Sequence, residues 1–571
     1  MISVLIIWLY MILTTGLAGL LIMALCRNVT GYVPRDAVAP ALAGIAAVTV
    51  YAQVWSLFGG VGPAADICMC ICLVLAGIYY RRDTGEILSD IIRDLKSDRL
   101  PVIVSILLMI VMAYGASHGL MHYDTGLYHA QAIRWIEEYG SVPGLTNLHT
   151  RLGYNSSAFC FNALYSFAFT GRSYHVTGAF CALLLAWECA YRPLKERGGL
   201  LCASGMARIM GIYYLLIIFD EMVSPASDYY MVCLGFILVI RWMDSVEMYK
   251  SETGRDEALA RMSMLAVFTA FILTVKLSGA VFVLLACFPG YVLLREHRGR
   301  EFAFCVGAGG VTVLPYLTRN IILSGWLLYP STAFGFFDTG WRVPRDTASY
   351  DYKEIQVYGR GYTDVSRYDE SITRWFGDWY AQMSLTDRLL ILAAIVGVAY
   401  FVIKCIYYVC RGLKHHESPC LTPEMFPEAV LCIGFVFWLL TSPLMRYGCL
   451  YVYLCDALLW GGVIGRIPAD RRTVRFAVSA LLMFLCVYKG IMFAAETARA
   501  YRSDTWIMQQ DYETFDVHAY ELRGDGAHIT VYAPDEGDRT GYDPFPSSPW
   551  DMSDTVMLRG SDIRAGFKPT E

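Results

Sequence analysis

The stretch His122-Tyr123-Asp124-Thr125-Gly126-Leu127-Tyr128-His129 sets a carboxylate between two imidazoles. It follows an apolar run, residues 101–120, that is long enough to cross a bilayer. Ionisable groups are costly to desolvate at such a boundary, so a tight cluster there points to chemistry or ligand binding. Asp124 reads as a general base or an acceptor-orienting carboxylate, or, more simply, as the N-cap of the helix that follows. The spacing His122-x-Asp124-x4-His129 matches no specific metal signature, so the imidazoles read as hydrogen-bond partners of Asp124 or of a substrate. His149 and Arg151 form a second polar group in the same loop.

Further polar residues fall at the ends of later apolar runs. Asp220 and Glu221 close one run and Asp228 opens the next. Lys276 sits in the turn Val275-Lys276-Leu277-Ser278-Gly279. Arg319-Asn320 leads to Trp326 and Tyr329-Pro330, and Arg446 precedes Tyr447. Each alone reads as a snorkelling or helix-end charge. Together they supply acids and bases to one face, which suits a phosphate held by Lys and Arg beside a carboxylate base.

The elements that must position these residues are membrane helices. Of 571 residues, 56% are hydrophobic and 17% charged, more apolar surface than a water-soluble chain of this length hides. Fourteen spans are expected, at about 2–25, 38–59, 63–80, 101–120, 174–191, 202–220, 228–241, 263–275, 279–294, 301–318, 388–410, 428–443, 447–464 and 476–495. Basic residues then concentrate in segments 81–100, 192–199, 241–262, 295–300, 411–416 and 466–475, all on the cytoplasmic side, with both termini outside. The run 156–170 is expected to lie against or dip into the outer face, and span 263–275 is short. Residues 2–25 read as a first helix and not a cleavable signal, for want of a basic leader.

The organisation expected is N-terminal membrane helices (1–120), a first outer loop (121–173), helices (174–318), a second large outer loop (319–387), helices (388–495) and a polar outer tail (496–571). In the first loop, residues 127–139 read as an amphipathic helix lying along the interface, anchored by Trp135, with Glu137 and Glu138 as solvated charges. The tail reads as a small irregular cap on the outer loops, or as disorder over its last ten or so residues. The 18 cysteines lie mostly in apolar runs and read as small core residues, not as disulfides or metal ligands. A net charge of −5 argues against nucleic acid as a partner.

The chain resembles the GT-C superfamily of membrane glycosyltransferases, which use polyprenyl-phosphate sugars. That pattern has an Asp in the first outer loop ahead of a helix (Asp124, then Tyr128, His129 and Ala132). It also has a second acid in the next outer loop (Asp228), a turn resembling Lys276-Leu277-Ser278-Gly279, an Arg-Asn before Pro330 and a late Arg446-Tyr447. More closely, Asp124 to Ser157 is similar to a group of uncharacterised bacterial multispanning proteins. These share Asp-Thr-Gly-Leu-Tyr-His, Val-Pro-Gly-Leu-x-Asn-Leu-His and Asn-Ser-Ser, and the tail's Tyr542-Asp543-Pro544 and Leu558-Arg559-Gly560 are similar too. The chain departs from GT-C enzymes in lacking a paired acid in the first loop, a Pro-Pro segment after it and a Trp-Trp-Asp motif, and in having three extra N-terminal spans.

The resemblance implies an all-α polytopic bundle in the bacterial inner membrane, with its active site on the outer face. The donor would be a lipid-linked sugar, the acceptor an envelope glycan or lipid, and membrane lipids the surroundings. Asp124 would be catalytic. Arg446, Lys276 and Arg319 would hold the carrier phosphate, and Asp228 would support the acceptor or a divalent metal. His122, His129, His149, Arg151, Trp326, Tyr329 and Trp135 would line the substrate. The rivals are a surface-polysaccharide polymerase or ligase, a transporter or flippase of lipid-linked glycan, and a scaffold of an envelope assembly. A transporter predicts ionisable groups deep within the spans, where the sequence places few.

Overall fold

The computed structural model describes residues 1–196, 202–415, 423–465, 506–524 and 526–570, and within 466–505 only positions 480, 484, 488, 491 and 495. The described chain is mostly helical. Seven helices are long and apolar enough to cross a membrane: Ile2–Thr30, Val38–Trp55, Glu252–Val275, Leu277–Arg295, Gly299–Ser324, Leu385–Lys414 and Met445–Gly465. Pro63–Tyr79 and Arg81–Ser97 make an eighth if counted as one span, although they bend by 91°. The protein is thus a chain of multiple candidate membrane helices, and the expected fourteen is corrected to seven or eight among the described residues.

The reason is physical. The expected spans 174–191 and 228–241 belong to helices Thr177–Glu196 and Ser227–Tyr249, which carry Glu188 and Arg192 and Arg241 and Asp244 in their interiors. Arg99–Gly115, Ala203–Ile217 and Met425–Thr441 are apolar but short. Span 476–495 falls outside the described residues but for scattered positions. The expected short span 263–275 is corrected in the other direction: its helix begins at Arg255, after the Ser251–Gly254 turn, because the acids Asp256 and Glu257 suit its first turn.

Small residues let these helices approach closely. A Cβ on Gly19 would overlap the Pro40 carbonyl, and one on Gly44 the Thr15 carbonyl, so Ile2–Thr30 and Val38–Trp55 pack backbone to backbone. Gly434 makes room for the Tyr451 ring and Gly448 for the Trp438 ring, which brings Met425–Thr441 and Met445–Gly465 together.

The turns 56–62, 116–126, 218–226, 276–278 and 442–446 meet at one end of the bundle. The Val61 amide donates to the Ile136 carbonyl, Leu120 to Asp220, and His122 to the Ser224 hydroxyl. At the other end a buried network ties Arg208 to Glu188 and Asp244, and Arg241 to Glu188 and Asp36. Arg241 and Asp244, expected in the basic segment 241–262, therefore have buried and paired side chains.

The run 156–170 dips inward and returns to the surface only at Phe169 and Thr170. Helix Ser157–Leu164 is wholly buried and, at ~12 Å by the α-helical rise, is too short to cross. The tail is more regular than expected. Val517–Arg523 pairs antiparallel with His528–Pro534, and Val556–Leu558 with Phe567–Pro569, so the last residues are ordered in a strand. The sixteen cysteines among the described residues are free thiols, many buried in the core.

Candidate active site

Helix Arg99–Gly115 delivers the chain to the bundle end, and residues 120–123 turn it into the wall of the site. The next turn, Thr125–His129, is a π-helix that runs into helix Ala130–Glu138. Such wide turns cost hydrogen-bond geometry and occur mostly where a side chain must be re-aimed. Here the C-terminal tail holds the turn. The Thr540 and Gly541 amides both donate to the Gly126 carbonyl, at 3.0 and 2.9 Å, and a Cβ on Gly126 would press on Phe515. The Tyr123 hydroxyl bonds Asp538 and Arg539 stacks over its ring.

Asp124 is not a helix cap. Its backbone is already helical and its carboxylate makes no capping bond. Instead Arg446, at the start of helix Met445–Gly465, donates to Asp124 Oδ2 at 2.8 Å, and lies 2.9 Å from His122 Nδ1 and 3.3 Å from the Tyr447 hydroxyl. Asp228, in the first turn of Ser227–Tyr249, lies 3.7 Å from Arg446 Nε and is bonded by Lys276. Lys276 sits over the Tyr447 ring at 4.5 Å. Two carboxylates and two cations from four segments thus alternate in one cluster. Asp124 and Arg446 each keep 21% of their side-chain surface exposed, so the cluster is open to solvent.

Burial alone would raise the Asp124 carboxyl, but Arg446, helped by His129 and His122, holds the group below the usual carboxylate range. Burial and Arg446 lower His122. Burial pushes His129 down to about 3 despite the pull of Asp124, and its ring packs on Phe159 and Tyr128. Both imidazoles are neutral near pH 7, and the charge of the site resides in Asp124, Asp228, Arg446 and Lys276.

The other expected residues lie elsewhere. Arg319 does not reach the cluster: it is buried and donates to Asn155, Ser141 and Ser56, tying three turns together. Trp326 is a core residue of the second outer loop, its indole donating to the Val343 carbonyl. Tyr329 is buried beside Asp351. His149 donates from Nε2 to the Leu127 carbonyl at 3.2 Å, and burial and Arg151 push it down to about 3. Arg151 joins Tyr154 and Glu354, and the Tyr154 hydroxyl bonds Asp351, so this second group latches the two outer loops. Trp135 is no interface anchor, being enclosed by Phe545 and Phe567 of the tail. Nor is Glu137 solvated, since it accepts from Ser173 at 2.9 Å and Tyr542 at 2.6 Å. Glu138 is exposed.

Sequence reading named two members, Tyr128 and Tyr447, only as parts of a pattern without a role, and it missed one outlier. Tyr447 and Tyr128 face the cluster, and the charges of Asp124 and Asp228 act on the Tyr128 phenol. Asp456, about halfway along Met445–Gly465, is buried with both carboxylate oxygens unpartnered. No group of three His, Cys, Asp or Glu side chains among the described residues is arranged to hold a metal ion. Asp228 is instead committed to Lys276 and Arg446.

All members of the cluster fall within residues 1–453, which match a family model described as "Domain of unknown function (DUF8201)". The chain belongs to this family. No curated protein and no solved structure matches the chain. The DUF8201 match takes in every helix that builds the cluster and stops inside helix Met445–Gly465, so the tail that clamps Gly126 lies beyond it.

Proposed function

We propose that this DUF8201 chain is a GT-C type glycosyltransferase of the bacterial inner membrane. It transfers a sugar from a polyprenyl-phosphate carrier to an envelope glycan or lipid acceptor on the outer face. What carries the reading is the Asp124–Arg446–Asp228–Lys276 cluster, a partly open set of paired charges at one end of an apolar helix bundle. A lipid-borne phosphate reaches that depth with its tail still in the bilayer. In transfer, the acceptor hydroxyl oxygen bonds to the anomeric carbon, the bond from that carbon to the carrier phosphate oxygen breaks, and the hydroxyl proton passes to Asp124. Arg446 and Lys276 take up the charge on the departing phosphate. The phosphate role rests on these two alone, since Arg319 is engaged elsewhere.

The test is complementation of a deletion host, with surface and lipid-linked sugars profiled and protein accumulation checked. Asp124→Asn is expected to cut glycan formation by about 10²-fold or more while the protein accumulates normally. Full restoration by Asp124→Asn sinks the assignment.

Asp456 favours a second reading, transport of a lipid-linked glycan, because an unpaired acid deep in a span marks ion or substrate pathways. In the same host, transport requires Asp456→Asn to fail while Asp124→Asn succeeds.

A further inference from the structure

A cavity of about 390 Å³ opens at the far end of helix Ala130–Glu138 from Asp124, ~20 Å away at 1.5 Å per residue. Val61, Pro63, Leu164, Phe167 and Phe169 form its apolar wall. Its polar lining holds four carboxylates, Asp66, Glu137, Glu138 and Asp543, against two guanidiniums, Arg134 and Arg172. Both guanidiniums have acidic partners: Arg134 pairs with Asp543, and Arg172 with Asp511 at 2.6 Å. Asp66, Glu137 and Glu138 remain outside these two pairs, so even with Glu137 only part ionised near pH 7 the cavity carries surplus negative charge.

Its depth is fixed by its neighbours. Asp66 lies in the first turn of helix Pro63–Tyr79, whose Ile67, Ile71, Val74, Leu75 and Ile78 are each more than half exposed. The Asp66 carboxylate accepts at 2.5 Å from Tyr10, two turns inside Ile2–Thr30. That helix exposes Ile6 and Leu9 nearer its start and Leu13 just beyond. Surface suited to hydrocarbon thus extends to both sides of Asp66, and Phe169 stands 59% exposed at the rim. A polar, acidic cavity bordered by such surface stands within reach of a lipid headgroup.

We propose that this cavity binds the headgroup of a membrane lipid that carries a primary ammonium beside its phosphate. The ammonium donates its N–H groups to Glu137 and Glu138, and the phosphate meets Arg172 at the rim. An anionic headgroup is opposed by the surplus carboxylates. A quaternary ammonium has the charge but no N–H to donate, and so loses the charge-assisted hydrogen bonds. Burial raises the Glu137 carboxyl to about 7, and a bound ammonium favours its ionised form. The inference does not rest on glycosyl transfer.

The full-length protein in detergent is titrated with phosphatidylethanolamine, phosphatidylcholine and phosphatidylglycerol, and retained lipid is counted by native mass spectrometry. Phosphatidylethanolamine is expected to be retained about fivefold over the other two. Glu138→Lys, at an exposed position that leaves the core untouched, is expected to abolish that preference, and Glu137→Gln to weaken it. Asp124→Asn is expected to leave it unchanged, so this site and the transfer reading fail separately. Equal retention of the three lipids overturns the proposal, as does a preference that survives both Glu137→Gln and Glu138→Lys.

Discussion

A carboxyl held below its usual range is ionised throughout the neutral range, but it is also a weak base. Arg446 creates that tension in Asp124, and in the proposed transfer a carrier phosphate would relieve it by drawing the guanidinium to itself. Asp124 would then gain basicity as the donor binds, so the proton acceptor would be strengthened only when there is a leaving group to release. With Arg446 replaced, burial acts on Asp124 against only the two histidines and its carboxyl rises. Activity needs the ionised form, so the acid limb of the pH–rate profile moves upward. Arg446→Ala is expected to shift that limb by about 1–3 pH units, and Arg446→Lys by less, since it keeps the charge and loses the fork. Labelled-sugar transfer in washed membranes gives the profile, and the limb's position is independent of how much activity remains. A limb that stays in place removes Asp124 as the titrating group.

The π-helix Thr125–His129 and the helix it opens are held from outside as much as from within. Residues 538–541 fix the Asp124 end, while Gln131 donates to the Gly541, Tyr542 and Pro544 carbonyls and Glu137 takes the Tyr542 hydroxyl at the other. Glu137 makes this docking sensitive to pH. Its folded carboxyl stays protonated to about 7 because it is buried, whereas an unfolded one ionises in the ordinary range. The stability from the protonated form is therefore complete at low pH and is lost as pH rises through about 7. Hydrogen exchange of residues 540–546, corrected for intrinsic rates, is expected to show protection falling between about pH 5 and 8. In Glu137→Gln protection is expected to be flat across that window, and an equal slope in both proteins refutes the assignment. This also marks where the sequence was legible. Asp124, Lys276 and Arg446 could be found because each ends an apolar run, where a charge is conspicuous. Trp135 and Glu137 were misread because helical periodicity shows which residues share a face but not that a distant segment covers it. Arg319 was misread because a helix-end guanidinium looks the same whether it faces a ligand or, as here, Asn155 and Ser141.

At the scale of the whole molecule the two ends of the bundle are chemically unlike. One end gathers the charge cluster, the outer loops and the strand cap. The other gathers Arg192, Arg208, Arg241 and Arg261 around Asp36, Glu188 and Asp244, with the amphipathic helix Arg81–Ser97 turned 91° from its predecessor. Hydropathy overcounted the apolar spans because Glu188 and Arg241 neutralise one another inside helices that must still pack among apolar neighbours. In the proposed orientation the excess of arginine at that end would face the cytoplasm, by the same bias that orients short loops. The cap would then lie outside with the cluster. Single cysteines at exposed positions test this, with the exposed native Cys72, Cys202, Cys287 and Cys410 replaced by serine. A membrane-impermeant maleimide applied to intact spheroplasts is expected to label Thr170→Cys, in the first outer loop, and Glu536→Cys, in the cap. Lys96→Cys, on the amphipathic helix, is expected to label only after permeabilisation. Labelling of Lys96→Cys in intact cells with Thr170→Cys protected would invert the molecule and put the Asp124 cluster on the cytoplasmic face. Labelling of Thr170→Cys without Glu536→Cys would separate the cap from the loop it clamps, which the paired donation of Thr540 and Gly541 to Gly126 does not allow.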